Sequence, residues 1–296
     1  MTASTSVIQF VALVLLLSSC AKQQVLVSDP GNQPSRATNV LMDSINESSQ
    51  LSGIYRSGRV SYQYQSISMV HSTSGDSVPR TDSTRVAATL SVLFLEATAN
   101  GLVKAITQAE SIQVSLVNTP LSPSSAVQLL ESQHDTLNID RRTGRVLINH
   151  RQSTCAQSGP EPLFRGDELI PAISLRAPVT RSWADTSTQE FCRGGVHMNL
   201  TRVARYRFEE EAPASQAGDI RLIRIAETQL KGTGFQWQQT VEATGHGVSI
   251  DTLIIPRGTQ RLARIVGRMQ AEIEFRSTFR TQRFIQTVRS EITARE

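Results

Sequence analysis

Cysteine and lysine are both scarce in this 296-residue chain. Only Cys20, Cys155 and Cys192 occur, too few for a disulfide-dense scaffold or a four-thiolate zinc site. Of the 30 basic residues three are lysine (Lys22, Lys104, Lys231), so the other 27 are arginine. The net charge of +4 is mild for this length and gives no argument for nucleic acid. No nucleophile elbow, phosphate loop, HExxH or paired-cysteine metal motif is present, and the chain reads as non-enzymatic and free of cofactors. The apolar run from Val7 to Leu17, broken only by Gln9, falls short of the ~20 residues a bilayer-spanning helix needs.

What is there begins with that run. Met1 to Ser19 carry no charged side chain, and the run has the length of a secretory h-region. It ends in Leu17-Ser18-Ser19-Cys20, which resembles the lipobox of bacterial lipoproteins. The resemblance implies that residues 1–19 are a removed leader and that acyl chains are added at Cys20. Ala21 after the cysteine implies, by the sorting rule of such proteins, an outer-membrane anchor facing the periplasm. Several acyl chains hold a protein stably where one binds only marginally. No Lys or Arg precedes the run, and the alternative is an ordinary signal peptide with a chance cysteine.

Residues 20–50 are rich in Ser, Asn, Gln and Pro, the composition of a flexible tether. A short helix at Thr38 to Ile45 fits within it. Residues 51–296 then carry a period of two, as in Arg59 to His71, Thr84 to Thr98, and Gly267 to Arg276. Asn100-Gly101 is a hairpin turn signal that makes Leu102 to Val117 the partner of the preceding strand. Thr136 to Asp140 and Arg145 to His150 form a second hairpin. Further strands are expected at Ser182 to Cys192, His197 to Glu210, Ile220 to Leu230, Phe235 to Thr244, and Phe279 to Ile292. Ser122 to His134 opens with Ser and Pro and reads as a helix. The stretch Ser158 to Val179, with Pro160, Pro162, Pro171 and Pro178, divides this domain into halves of about 51–157 and 178–296. The expected fold is mainly β, with long antiparallel strands in one or two curved sheets, half-barrel or sandwich-like, and one or two short helices.

Four sets of residues are candidates for a role. Cys155 and Cys192 can pair in an exported compartment, and closing that loop stabilises by about 4 kcal/mol. His150 and His197 flank the two cysteines at equal spacing, so a tetrahedral zinc site of His150, Cys155, Cys192 and His197 is a minor alternative. Trp183 and Trp237, with Phe235, Phe275, Phe279 and Phe284, line an apolar pocket or fill a core. Arg257, Arg261, Arg264, Arg268, Arg276, Arg280, Arg283 and Arg289 form either a surface for anionic envelope polymers or the wet face of a sheet, and the wet face is favoured. Gly232-Thr-Gly234 and Thr244 to Val248 read as turns or bulges between strands. His71, His134 and His246 read as surface loop residues.

The hairpin at Gly101, the D-x-x-x-G turn at Asp140, Pro178 to Ala184 and the terminal run from Gly232 to Phe275 together resemble uncharacterised bacterial lipoproteins built from antiparallel β halves. They are also similar, more distantly, to the half-barrel envelope proteins of the lipoprotein-carrier class. That likeness implies a curved sheet that binds an apolar ligand or an envelope partner. A fully packed sheet implies a structural or assembly lipoprotein instead, and an enzyme with a dispersed site is the third reading.

Overall fold

A computed structural model describes residues 55–75, 78–116, 119–120, 134–140, 145–148, 182–193, 196–209, 219–236, 239–256 and 261–295. These form β1 (Gly58–Ser74), β2 (Arg80–Phe94), β3 (Leu102–Leu116), β4 (Thr119–Pro120), β5 (His134–Asp140), β6 (Arg145–Ile148), β7 (Ser182–Arg193), β8 (Val196–Phe208), β9 (Asp219–Gln236), β10 (Gln239–Pro256), β11 (Arg264–Ser277) and β12 (Thr281–Ala294). All pair antiparallel in one curved, unclosed sheet of order β6-β5-β3-β2-β1-β12-β11-β10-β9-β8-β7, with β4 beside β3. The first and last long strands meet in the middle, Ser66 opposite Ser290, and β6 and β7 are the two edges.

Alternation explains why these segments are strands. In β1 the even positions Val60, Tyr62, Tyr64, Ser66, Ser68 and Val70 are buried, and Ile67, Met69 and His71 of the opposite parity are exposed. Gly101, at φ 78°, supplies the left-handed residue that the β2 to β3 turn requires. One bulge resets the pattern: β3 places Ser111, at φ 52°, and Ile112 against Ala88 alone. The inward parity of β3 thereby passes from Val103, Ala105, Thr107 and Ala109 to Ile112, so Ile112 still reaches the core.

The core lies along one face. Its larger cluster joins Tyr62, Val86, Leu90, Val92, Phe94, Val103, Leu137, Leu222, Leu253, Ile255, Ile265 and Ile292 across eight strands. A second, at the other end of the same face, joins Val70, Met198, Leu200, Leu230, Ala243 and Ile273. Each fully buried Leu or Ile stabilises by roughly 1.5–3 kcal/mol relative to exposure.

Two expectations are corrected, and two helices cannot be placed. Gly232 and Gly234 lie within β9, and Gly245 and Gly247 within β10, all in unbroken register rather than in turns between strands. Their role is close approach: a Cβ at Gly232 would lie 2.7 Å from the His197 carbonyl oxygen, and one at Gly247 2.8 Å from Thr228 Oγ1. His71, His134 and His246 stand on β1, β5 and β10, not in loops. The helix at Ser122 to His134 lies outside the described residues, apart from His134, which opens β5; the one at Thr38 to Ile45 lies wholly outside.

Candidate functional site

The polar chemistry of the inner face is concentrated between the two apolar clusters. Register places Trp183, Tyr206, Arg224, Asp251, Gly267, Ser290 and Ser66 in one row across β7, β8, β9, β10, β11, β12 and β1. Arg224 Nε donates to Asp251 Oδ2 at 2.8 Å, with both side chains nearly excluded from solvent. Burial acts to lower the Arg224 pKa, but the Asp251 carboxylate and the Tyr206 phenol, both bonded to the guanidinium, outweigh it and leave the pKa raised. The Arg224 guanidinium is therefore charged at any working pH. Arg224 Nη1 is buried and meets no acceptor among the described residues. Trp183 stacks on Tyr206, with centroids 5.0 Å apart and planes 3° from parallel. Two rows along, Gln286 Nε2 donates to Ser68 Oγ at 2.9 Å, again inside.

Of this row only Trp183 was singled out in the sequence, although Arg224 and Asp251 sit among the isoleucines and leucines of β9 and β10. It brings a guanidinium, a carboxylate and a phenol together, and all three are buried. In the larger apolar cluster Leu90, Leu137, Leu222, Leu253 and Ile255 have 0% exposure, and Ser68, Ala226 and Gln286 on the same face have 1%. A void wide enough for an acyl chain would leave accessible surface on the side chains that line it. Among the described residues no three His, Cys, Asp or Glu side chains converge as metal ligands would.

The expected site residues are only partly gathered here. Trp183 packs half-buried against Tyr206 and Phe208 at the margin of the core. Phe275 and Phe284 meet edge to face at 6.0 Å in the second cluster. Phe235 and Phe279 are corrected: both are exposed and line nothing inside. Cys20, His150, Cys155, Trp237 and Arg257 lie outside the described residues. Cys192 stands in edge strand β7 with His197 directly opposite on β8, and the His197 side chain faces solvent.

The outer face sorts the arginines. Arg264 pairs with Glu291, Arg276 with Glu274, Arg283 with Glu272, and Arg205 with Glu227. The Arg283 hydrogen bond is the main cause of a lowered Glu272 pKa, against a small opposing effect of burial. Arg280 donates to Ser74 Oγ at 2.5 Å and Arg261 to the Ser57 carbonyl at 3.4 Å. Arg268 and Arg289 face each other across β11 and β12.

No family model matches this chain, and no curated protein matches it. Among solved structures it is similar to Neisserial surface protein A, at 6% identity over 80% of this chain and 98% of that one, with a TM-score of 0.23. A mutant Rh. blastica porin gives 7% identity, coverage of 79% and 99%, and a TM-score of 0.25. Ail, the attachment invasion locus protein of Yersinia pestis, gives 4%, 79% and 99%, and a TM-score of 0.16. The outer face of the present sheet carries charged side chains along its length. Arg85, Arg205, Arg268 and Arg289 cross the middle of the outer face, where each would cost about 2–4 kcal/mol at the midplane of a bilayer.

Proposed function

We propose that this chain is a lipid-anchored, non-enzymatic protein of the cell envelope, held through Cys20 at the outer membrane and facing the periplasm. Its sheet acts as a packed scaffold that meets an envelope partner with its outer face. The anchor rests on the lipobox and the preceding apolar run. The scaffold rests on one observation: most inward side chains of both apolar clusters, and Tyr206, Arg224 and Asp251 between them, are buried. A carrier of apolar ligands needs room on that face, and the 0% exposure of Leu90, Leu137, Leu222 and Leu253 leaves none beside them.

Two measurements test the two parts. Cys20→Ser moves the protein from the membrane to the soluble fraction and leaves its leader uncut; unchanged fractionation removes the anchor. Organic extraction and mass spectrometry of the purified protein finds its own acyl chains and no stoichiometric second lipid. A bound lipid at one per chain would replace the scaffold with a ligand carrier.

A further inference from the structure

We propose that Arg85, Arg268 and Arg289, with Ile67 and Met69 beside them, form a docking surface for the anionic headgroups of the membrane that carries the Cys20 anchor. In this respect the inference rests on the anchored reading above. Register sets Arg85, Ile67, Arg289 and Arg268 side by side on β2, β1, β12 and β11, with Met69 two residues along β1 from Ile67. All five side chains are exposed on the outer face, Ile67 by 43% and Met69 by 52%.

Charge is the first argument. Four outer-face carboxylates, Glu227, Glu272, Glu274 and Glu291, are engaged by Arg205, Arg283, Arg276 and Arg264 respectively. Arg268 and Arg289, directly opposite each other, have no carboxylate partner among the described residues, and such a like-charge pair opposes sheet formation. An external anion relieves that repulsion.

The shape of the face selects a bilayer over a peptide. β1, β12 and β11 are each paired on both sides, so no strand can add at this point. The exposed apolar side chains do not form a groove: Met69 is separated from Val248 by Thr287 and Gln270 in the same row. A membrane interface accepts isolated apolar side chains among guanidinium groups without needing a complementary pocket. If residues 20–50 form the tether that their composition implies, a span of about 30 Å would keep this surface within reach of the bilayer.

The test places the purified, full-length mature protein on phosphatidylcholine vesicles, with or without a third of phosphatidylglycerol, and reads hydroxyl-radical oxidation of Met69 by mass spectrometry. Met198, buried in the second cluster, is the internal control. Met69 becomes severalfold less reactive on the anionic vesicles only, and added salt restores its reactivity. Replacing Arg268 and Arg289 with Gln removes the protection, each change weakening surface binding by about fivefold, whereas Arg276→Gln preserves it. Equal oxidation of Met69 on both vesicles overturns the proposal, as does equal loss with Arg276→Gln. Protection that requires an added protein and not the lipid would assign the surface to a protein partner. The intact mass reports acylation of Cys20 separately, so a missing anchor and a missing lipid contact are distinguished.

Discussion

Arg224 and Asp251 stand directly opposite each other on β9 and β10, joined at 2.8 Å inside a face from which water is excluded. Charges removed from water cost several kcal/mol each, and only their mutual attraction and hydrogen bonds compensate. Asp251→Asn keeps the shape but strands the buried guanidinium, and should destabilise by about 3–5 kcal/mol. Replacing Arg224 with Met and Asp251 with Leu together removes the burden as well as the attraction, and should return stability to within about 1 kcal/mol of the parent. Urea unfolding of the three proteins gives the comparison. A double variant as unstable as the single one would mean that the pair itself, not the abandoned charge, holds this part of the sheet.

Gly267 completes the same row by leaving space for the carboxylate. A Cβ built there lies 2.3 Å from Asp251 Oδ1 and 2.9 Å from Ser290 Oγ. Gly267→Ala must displace a buried, hydrogen-bonded oxygen, at a cost of about 2 kcal/mol. The cost belongs to the contact, so it should fall below about 1 kcal/mol when Asp251 is already Ala. A double-mutant cycle by chemical denaturation measures the difference, and additive effects would show that Gly267 is required for some other reason.

The strands were legible in the sequence because a sheet with one wet face writes a period of two, as in Met269, Ala271, Ile273 and Phe275 of β11. The buried ion pair was not, because the stretches of β9 and β10 that hold it carry apolar residues on both parities. Ile223 and Ile225 flank Arg224 on the outer face, and Ile250 and Ile254 flank Asp251 and Leu253, so alternation did not say which side was inside. The Gly pairs of β9 and β10 carry a turn's composition, yet they answer a crowding across strands that is visible only once Met198 lies opposite Gly232. The bulge at Ser111 is equally silent, since nothing local marks a serine that adopts positive φ. Meeting of β1 and β12 joins residues more than 200 positions apart, and hairpin rules reach only neighbouring strands. Phe235 and Phe279 show the converse error, large aromatics that the parity of β9 and the turn before β12 leave in water.

Tyr62 gives the sheet an alkaline limit. Burial among the larger apolar cluster pushes its phenol up from 10.0 to about 12, and the nearby Arg261 guanidinium pulls it partly back. Below pH 10 the phenol is neutral in both folded and unfolded chains, so its contribution is fully present. Between pH 10 and pH 12 the unfolded chain ionises Tyr62 while the folded one does not, and stability falls; above the folded value both are ionised and the loss stops. A shift of this size corresponds to about 3 kcal/mol, an order of magnitude for one buried group. Few other groups obscure the window, since the chain has only 4 tyrosines and its lysines are scarce. Tyr62→Phe should therefore unfold in urea with a visibly flatter dependence on pH between 10 and 12 than the parent. Arg261→Gln should do the reverse, because removing the cation leaves desolvation unopposed and carries the loss to higher pH. Identical pH profiles for Tyr62→Phe and the parent would show that the phenol ionises in the folded sheet as readily as in the unfolded chain.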